Sequence, residues 1–213
     1  EGFANQPDSD PAVTGVRDWV KGIVERAADS ALGAQTIAES WVADEQSVAD
    51  VVGRATKAGK WWGGVAANDR ALALERAADA LEAHRGDLLE VMANEAGKTI
   101  DQGNPEVSEV VDFARYYAQS ARDLATIRGA RPVPRPVTLV TPPWNFPVAI
   151  PGGSVLAALA AGSAVILKPA PATRRCAAVL AEVLWASGIR KDVLQLVDCD
   201  EEPVGSALVR DER

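Results

Sequence analysis

The chain is poor in the residues that most often carry metal and nucleophile chemistry. It has one histidine, His84, and two cysteines, Cys176 and Cys199. A single imidazole argues against a histidine-based metal site or a serine–histidine triad. The two cysteines have no metal-ligand spacing and no disulfide framework, which fits a reducing cytoplasm. Positive charge is also scarce: 22 Lys and Arg face 30 Asp and Glu, for a net charge of −8. This balance argues against nucleic acid as a partner, because phosphate binding needs a basic surface. No run reaches the roughly 18 apolar residues of a membrane span. The longest candidate, Val148 to Leu167, is broken by Pro151, Gly152, Gly153 and Gly162. The N-terminus is acidic and polar, unlike a signal peptide. Gly-x-Gly-x-x-Gly and the phosphate loop Gly-x-x-x-x-Gly-Lys are both missing, and Gly63-Gly64 and Gly152-Gly153 do not replace them.

What is present is an ordinary globular composition, 47% apolar and 24% charged over 213 residues, enough for one or two domains of roughly 100–200 residues. Residues 1–12 are polar, with Pro7 and Pro11, and read as an arm or linker. Val13–Ala28 carries apolar residues at helical spacing. Gly33–Ala43 gives no clear signal. Ser47 caps a helix expected to end near Gly59, and Trp61-Trp62-Gly63-Gly64 reads as a turn with two packing anchors. A helix capped by Asn68 or Asp69 carries Leu74, Leu81 and Leu88 and stops at Gly97. His84 lies on or beside its apolar stripe as a packing or surface residue. Pro105 suits the first position of a long helix through Leu124. Arg128–Pro136, with three prolines and three arginines, reads as an extended connector with a solvated basic face.

From Val137 the pattern changes. Val137–Val140, Ala164–Leu167 and Val193–Val197 read as buried strands. They alternate with a helix in the second half of Val148–Ala161, a helix over Ala172–Ala186 and the start of another over Glu201–Val209. That alternation predicts parallel strands in a layered α/β sheet. Right-handed crossovers put the strand C-terminal ends on one edge, where ligands bind. The polar residues expected there are Asn145, Lys168 and Asp198. One domain, with the first helices packed on the sheet, is the preferred organisation. Three strands leave an open edge, a liability that suggests more sheet beyond residue 213. The chain opens without Met and closes on Arg210-Asp-Glu-Arg213, so both ends read as arbitrary.

Two chemistries are open for each polar strand-end residue. Asn145, on the Pro142-Pro143-Trp144 turn, is either a donor to a developing oxyanion or a turn asparagine bonding its local backbone. Lys168, between an apolar strand and Pro169, is either a ligand of ribose hydroxyls or phosphate or a snorkelling strand-end lysine. Neither cysteine reads as a nucleophile. Cys176 follows two arginines but has no partner base, and Cys199 sits among Asp198, Asp200, Glu201 and Glu202, whose charge raises a thiol pKa.

Pro143-Trp144-Asn145-Phe146-Pro147, Ala157–Gly162 and Val165-Ile-Leu-Lys-Pro-Ala170 together resemble the aldehyde dehydrogenase superfamily, as does Leu72–Thr99, ending Asn94-Glu-Ala-Gly-Lys-Thr99. Phe3–Asp10 with Asp18-Trp19 is similar to the beginning of the 1-pyrroline-5-carboxylate dehydrogenase part of bacterial bifunctional proline-utilisation proteins. The resemblance covers nearly the whole chain. It implies a Rossmann-type α/β fold with N-terminal helices, holding only the first part of the cofactor-binding domain. Residues 13–127 would be its helical part, 128–136 a connector and 137–213 its α/β part, with the catalytic domain absent. The implied reaction is NAD-dependent oxidation of an aldehyde, L-glutamate γ-semialdehyde, to L-glutamate through a cysteine thiohemiacetal and thioester. By that likeness Asn145 donates to the oxyanion, Lys168 binds the adenosine ribose, and Thr141, Pro142 and Trp144 line the cofactor. A homo-oligomer, a cytoplasmic location and a proline dehydrogenase domain upstream are also implied.

The sequence departs from that family in three places. The nucleophilic cysteine and general-base glutamate would lie beyond Arg213. Pro171 stands where the family has a ribose-binding glutamate. Asp198-Cys-Asp-Glu-Glu202 replaces a glycine-rich loop near the adenine. The competing expectations are an enzyme segment inactive alone, a non-catalytic relative kept for assembly, and a nucleotide-binding module complete in itself.

Overall fold

A computed structural model describes residues 3–213; Glu1 and Gly2, the first two residues of the expected arm, lie outside the described residues. The strands are β1 (Val137–Val140), β2 (Ala164–Leu167) and β3 (Leu194–Leu196), parallel and in that spatial order. Val137 pairs with Ala164, and Val165 with Leu194. The expected strands are thus all present, with the third one residue shorter at each end. Past β3 a single bridge joins Asp198 to Trp41, through Asp198 N–H to Ser40 O (2.9 Å) and Val42 N–H to Asp198 O (2.8 Å).

Side chains of β2 alternate between two packed faces, as a pleated strand requires. Ile166 points to one face, against Val48, Val51, Val52 and Ala55 of α3 (Glu45–Gly63) and Leu208 of α9 (Ser206–Arg210). Val165 and Leu167 point to the other face, which continues into α4 (Ala67–Ala83), α5 (Arg85–Ala96), α6 (Ile100–Ala125), α7 (Ala149–Ala160) and α8 (Arg174–Ala186). Each fully buried aliphatic side chain contributes about 1.5–3 kcal/mol relative to exposure. α1 (Thr14–Ala27) packs on α5, and the short α2 (Ala34–Glu39), in the stretch without a sequence signal, packs on α8. The fold is mostly helical around a small parallel sheet.

Several boundaries differ from expectation for local reasons. α3 is capped by Asp44, whose carboxylate accepts the Ser47 N–H at 2.7 Å, so Ser47 lies inside the helix. The helix runs through Gly59 to Gly63. Gly59 is not a stop: any Cβ there would collide with the Pro136 carbonyl. Trp61 and Trp62 are helical, and the Trp62 indole donates to Leu159 O at 2.9 Å. The helix after Ala66 is not capped by Asn68 or Asp69, and it breaks at His84 into α4 and α5. The His84 Nδ1 sits 2.8 Å from Asp87 on the surface. Gly97 ends α5 in the left-handed region, φ 65°, as a C-terminal glycine should. α6 begins earlier than Pro105, at a capping box formed by Thr99 and Gln102. The first half of α7, expected to be irregular, is helical. Its Gly152 and Gly153 face α6, where a Cβ on Gly153 would come 2.8 Å from the Phe113 ring.

The arm is not free. Gln6 N–H donates to Asp112 at 2.7 Å, and the Asn104 amide donates to Ser9 O at 3.0 Å. The connector carries no secondary structure, and its arginines are exposed as expected. Its last carbonyl, Pro136 O, accepts the Ala164 N–H at 3.0 Å and leads into β1.

Candidate functional site

The three strands deliver three loops to one edge of the sheet. β1 leads through Thr141–Pro147 into α7. β2 leads through Lys168–Ala170 and a 3₁₀ turn, Pro171–Thr173, into α8. β3 leads through Val197–Asp200 and a wide turn, Glu201–Gly205, into α9. Asn145, Lys168 and Asp198 all stand on this edge, as the alternation predicts.

The first loop is held at its far end by a residue the sequence does not single out. Glu106, on α6, is 2% exposed. Its Oε2 accepts the N–H groups of Val148 and Ala149, each at 3.1 Å, and so satisfies two orphan donors at the start of α7. Its Oε1 pairs with Lys98. The Lys98 ammonium also lies 4.6 Å from the centroid of the Phe146 ring, a cation–π contact. Pro147 and Val148 are buried, whereas Thr141, Trp144, Asn145 and Phe146 are exposed and Pro142 is half-buried. Among the described residues the Asn145 carboxamide takes part in no hydrogen bond, so the alternative of a turn asparagine bonding its own backbone has no contact behind it.

The second loop repeats the device. Glu95, near the end of α5, accepts the Arg175 N–H at 2.8 Å through Oε1 and the Cys176 N–H at 2.7 Å through Oε2. At both helix starts, carboxylates of the chain itself thus take up two of the first-turn backbone donors. Lys168 is half-buried, and among the described residues it forms no ion pair. Its Cε lies 3.3 Å from where a Cβ on Gly205 would sit, so the glycine lets the third loop close against the lysine stem.

Asp198 stands at the strand-end edge, is 7% exposed and lies beside Arg174, with Nε 3.0 Å from Oδ1. The N–H is not aimed at that oxygen, so the contact is a charge pair and not a hydrogen bond. Burial raises the Asp198 pKa, and Arg174 and the neighbouring Lys168 oppose that rise. Asp200, Glu201 and Glu202, the other acids of this loop, are exposed.

Both thiols are buried. The Cys176 pKa is pushed far up by burial and then by Glu95, and the Cys199 pKa is raised first by burial, with Asp198 and Asp200 adding and Lys168 opposing. Arg175, adjacent to Cys176, is taken up by Ser30 O, Leu32 O and Asn94, the first two at 2.7 and 2.8 Å. Neither thiol has the electropositive, accessible setting of a nucleophile. Among the described residues no group of His, Cys, Asp and Glu could hold a metal, and no helix is long and apolar enough to cross a membrane.

The sequence reading missed Glu95, Lys98, Glu106 and Arg174. The one available signal for Glu106 was a charged residue on the apolar face of α6, beside Val107 and Val110.

The chain that forms this edge is similar to known proteins over most of its length. The bifunctional protein PutA of Klebsiella aerogenes is 42% identical over 152 residues, which is 71% of this chain and 11% of that protein. The 1-pyrroline-5-carboxylate dehydrogenase of Staphylococcus aureus is 35% identical over 187 residues, covering 82% of this chain and 36% of its own length. The structure of proline utilization A from Corynebacterium freiburgense superposes with a TM-score of 0.85 at 41% identity, over 98% of this chain and 20% of that one. The chain thus spans well under half the length of these relatives. The pattern of the aldehyde dehydrogenase family runs from residue 24 to residue 213, through every loop of the strand-end edge, and the chain belongs to that family.

Proposed function

We propose that this chain supplies the oxyanion-stabilising and cofactor-facing part of a cytoplasmic, NAD-dependent 1-pyrroline-5-carboxylate dehydrogenase. The reaction is oxidation of L-glutamate γ-semialdehyde, with NAD⁺ and water, to L-glutamate, NADH and two protons. The observation that carries the reading is the first loop: Asn145 is exposed and free to donate, on a turn whose helical end is fixed by Glu106. Attack of a thiolate on the aldehyde puts negative charge on its oxygen, and a neutral amide held nearby stabilises that charge. One such donor is worth about 2.7–4 kcal/mol.

Because Cys176 and Cys199 are buried with raised pKa values, the nucleophile belongs to a part of the protein outside these residues, and the chain alone is inactive. NAD, when bound, accepts the hydride. Lys168, with no ion-pair partner among the described residues, is suited to its ribose hydroxyls, and Thr141, Pro142 and Trp144 to the neighbouring wall. On this reading residues 13–213 are part of a cofactor-binding domain. The PutA relatives support a bifunctional parent with a proline dehydrogenase domain upstream, and the parent is a homo-oligomer.

The test compares the 213-residue chain with the natural-length protein that contains it. With glutamate semialdehyde and NAD, the chain alone is expected to give no absorbance change at 340 nm and the natural-length protein to turn over. Asn145→Ala in the latter lowers kcat about 10²–10³-fold. Turnover by the chain alone would sink the assignment of a missing nucleophile. An unchanged kcat in Asn145→Ala would sink the oxyanion role.

A second reading, a non-catalytic relative kept for assembly, is favoured by one observation. Pro171 stands exposed beside Lys168, and Glu201 and Glu202 are exposed on the next loop. Calorimetry of the natural-length protein decides between the two readings: binding of NAD supports the enzyme, and no heat at millimolar NAD or NADP supports the assembly role.

A further inference from the structure

We infer that Lys98 and Glu106 are positioning residues for Asn145, an ion pair that sets the rate of the reaction by fixing the turn on which the carboxamide stands. The catalytic half of this inference rests on the dehydrogenase reading above; the geometric half does not.

An amide that stabilises an oxyanion must meet it at 2.7–3.1 Å, and a misplacement of about 1 Å can cost 10²-fold in rate. Asn145 cannot fix itself, since its side chain has no hydrogen-bond partner among the described residues. Its position is inherited from its neighbours. On the N-terminal side Pro142 and Pro143 restrict φ. On the C-terminal side the next residues are held by two groups from outside the loop. Phe146 carries the Lys98 ammonium 4.6 Å from its ring centroid. Val148 and Ala149 give their N–H groups to Glu106 Oε2, each at 3.1 Å. Lys98 and Glu106 are themselves paired, so one unit grips the chain at the first, third and fourth residues after Asn145.

The anchors lie deep. The Glu106 side chain is 3% exposed and that of Lys98 is 14% exposed. A carboxylate that deep needs a counter-charge and hydrogen bonds, and both are supplied. A helix start can be capped more simply by a local serine or aspartate. A buried pair drawn from the end of α5 and the start of α6 instead ties the catalytic turn to the rigid helical layer. Lys98 follows Gly97, whose left-handed conformation turns the chain back from α5 toward the pair.

The test uses Glu106→Ala, Glu106→Gln and Lys98→Met, each read in two ways. In the 213-residue chain, amide hydrogen exchange is followed over residues 141–149. Glu106→Ala is expected to lower protection there by a factor at least about tenfold larger than in β2 and α8, whose protection falls with global stability. Glu106→Gln, which keeps an acceptor, is expected to retain more of it. In the natural-length protein, Glu106→Ala and Lys98→Met are expected to lower kcat about ten- to a hundredfold with KM within about twofold. Glu106→Gln is expected to recover part of the loss.

The deciding variant is Glu106→Ala combined with Asn145→Ala. If Glu106 acts through Asn145, the double variant is no slower than Asn145→Ala alone. A further loss of the full factor overturns the inference, and so does unchanged exchange over residues 141–149. Should Glu106→Ala fail to fold, Lys98→Met and Glu106→Gln carry the same comparison with Asn145→Ala. If the unaltered natural-length protein does not oxidise the aldehyde, the dehydrogenase reading fails. The exchange experiment then still decides whether the pair fixes the turn.

Discussion

The loops that lead into α7 and into α9 lie on the same sheet edge and are built in opposite ways. At α7 a buried carboxylate from another helix takes two backbone donors, and a lysine bridges that carboxylate to Phe146. At α9 the chain passes through a wide turn in which Glu202 is extended (φ −125°, ψ 135°), and the local side-chain contact is Ser206 to Glu202. The acid that holds the first loop is internal and satisfied, whereas Glu201 and Glu202 of the third face solvent. The start of α8, with Glu95 in the role of Glu106, sides with α7. At the starts of α7 and α8, carboxylates of the chain itself occupy two backbone donors each. Those contacts tie the first and second loops to the helical layer, and Asn145 and Lys168 stand on these loops, exposed and half-buried.

The strongest test of this contrast removes one acid from each loop region. Glu106→Ala leaves Lys98 without its partner in a nearly buried site, at an expected cost of about 3–5 kcal/mol. Glu202→Ala removes an exposed carboxylate, and the expected change is within about 0.5 kcal/mol. Urea unfolding of the 213-residue chain measures both. Equal losses would mean that the first and third loops are held with the same firmness.

Glycine gives a smaller effect in the same direction. Gly153→Ala drives a methyl to 2.8 Å from the Phe113 ring, inside the α6–α7 contact. Overpacking of that kind costs about 1–3 kcal/mol. Gly205→Ala, just before α9, meets the flexible Lys168 stem at 3.3 Å and the Asp200 carbonyl at 3.2 Å. Part of that crowding is offset by the better helix propensity of alanine, about 1 kcal/mol. Thermal denaturation is expected to show a clear loss for the first variant and little change for the second.

What the sequence could reveal follows from the range of each interaction. β2 was legible to the residue because Ala164–Leu167 is a continuous apolar run closed by Lys168-Pro169. The same logic set Lys168 at the end of β2 and Asn145 on the loop after β1. Glu106 was not legible, because its partners Val148 and Ala149 lie 42 and 43 residues away and no local pattern encodes the pairing. The break at His84 was hidden by Leu74, Leu81 and Leu88, whose seven-residue spacing continues across it. Gly59, Gly152 and Gly153 read as breakers, yet they serve contact with Pro136, Val110 and Phe113 on other segments. For Glu106 and these glycines the deciding neighbour is distant in sequence.

The weakest effect concerns Asp198, the acid that joins the third loop to Arg174, and its sign separates it from an ordinary capping carboxylate. Burial holds its folded-state pKa above the usual 3.8. A raised carboxylate pKa means that the folded state binds the proton more tightly than the unfolded one. Stability from this group is therefore present at low pH and is lost as pH rises through the window from about 3.8 to the raised value. Asp44 runs the other way. Its pKa is lowered first by the backbone hydrogen bond from Ser47, so its contribution is present above 3.8 and is lost as pH falls through the lowered value. Asp198→Asn should remove the first dependence and Asp44→Asn, which keeps a capping oxygen, the second. Urea midpoints measured from about pH 2.5 to 7 are expected to show the Asp198→Asn curve rising relative to the parent chain above the window. The Asp44→Asn curve should rise relative to the parent only below it. A common direction for both variants would mean that Arg174 outweighs burial at Asp198, and that the third loop is held by charge as firmly as the first.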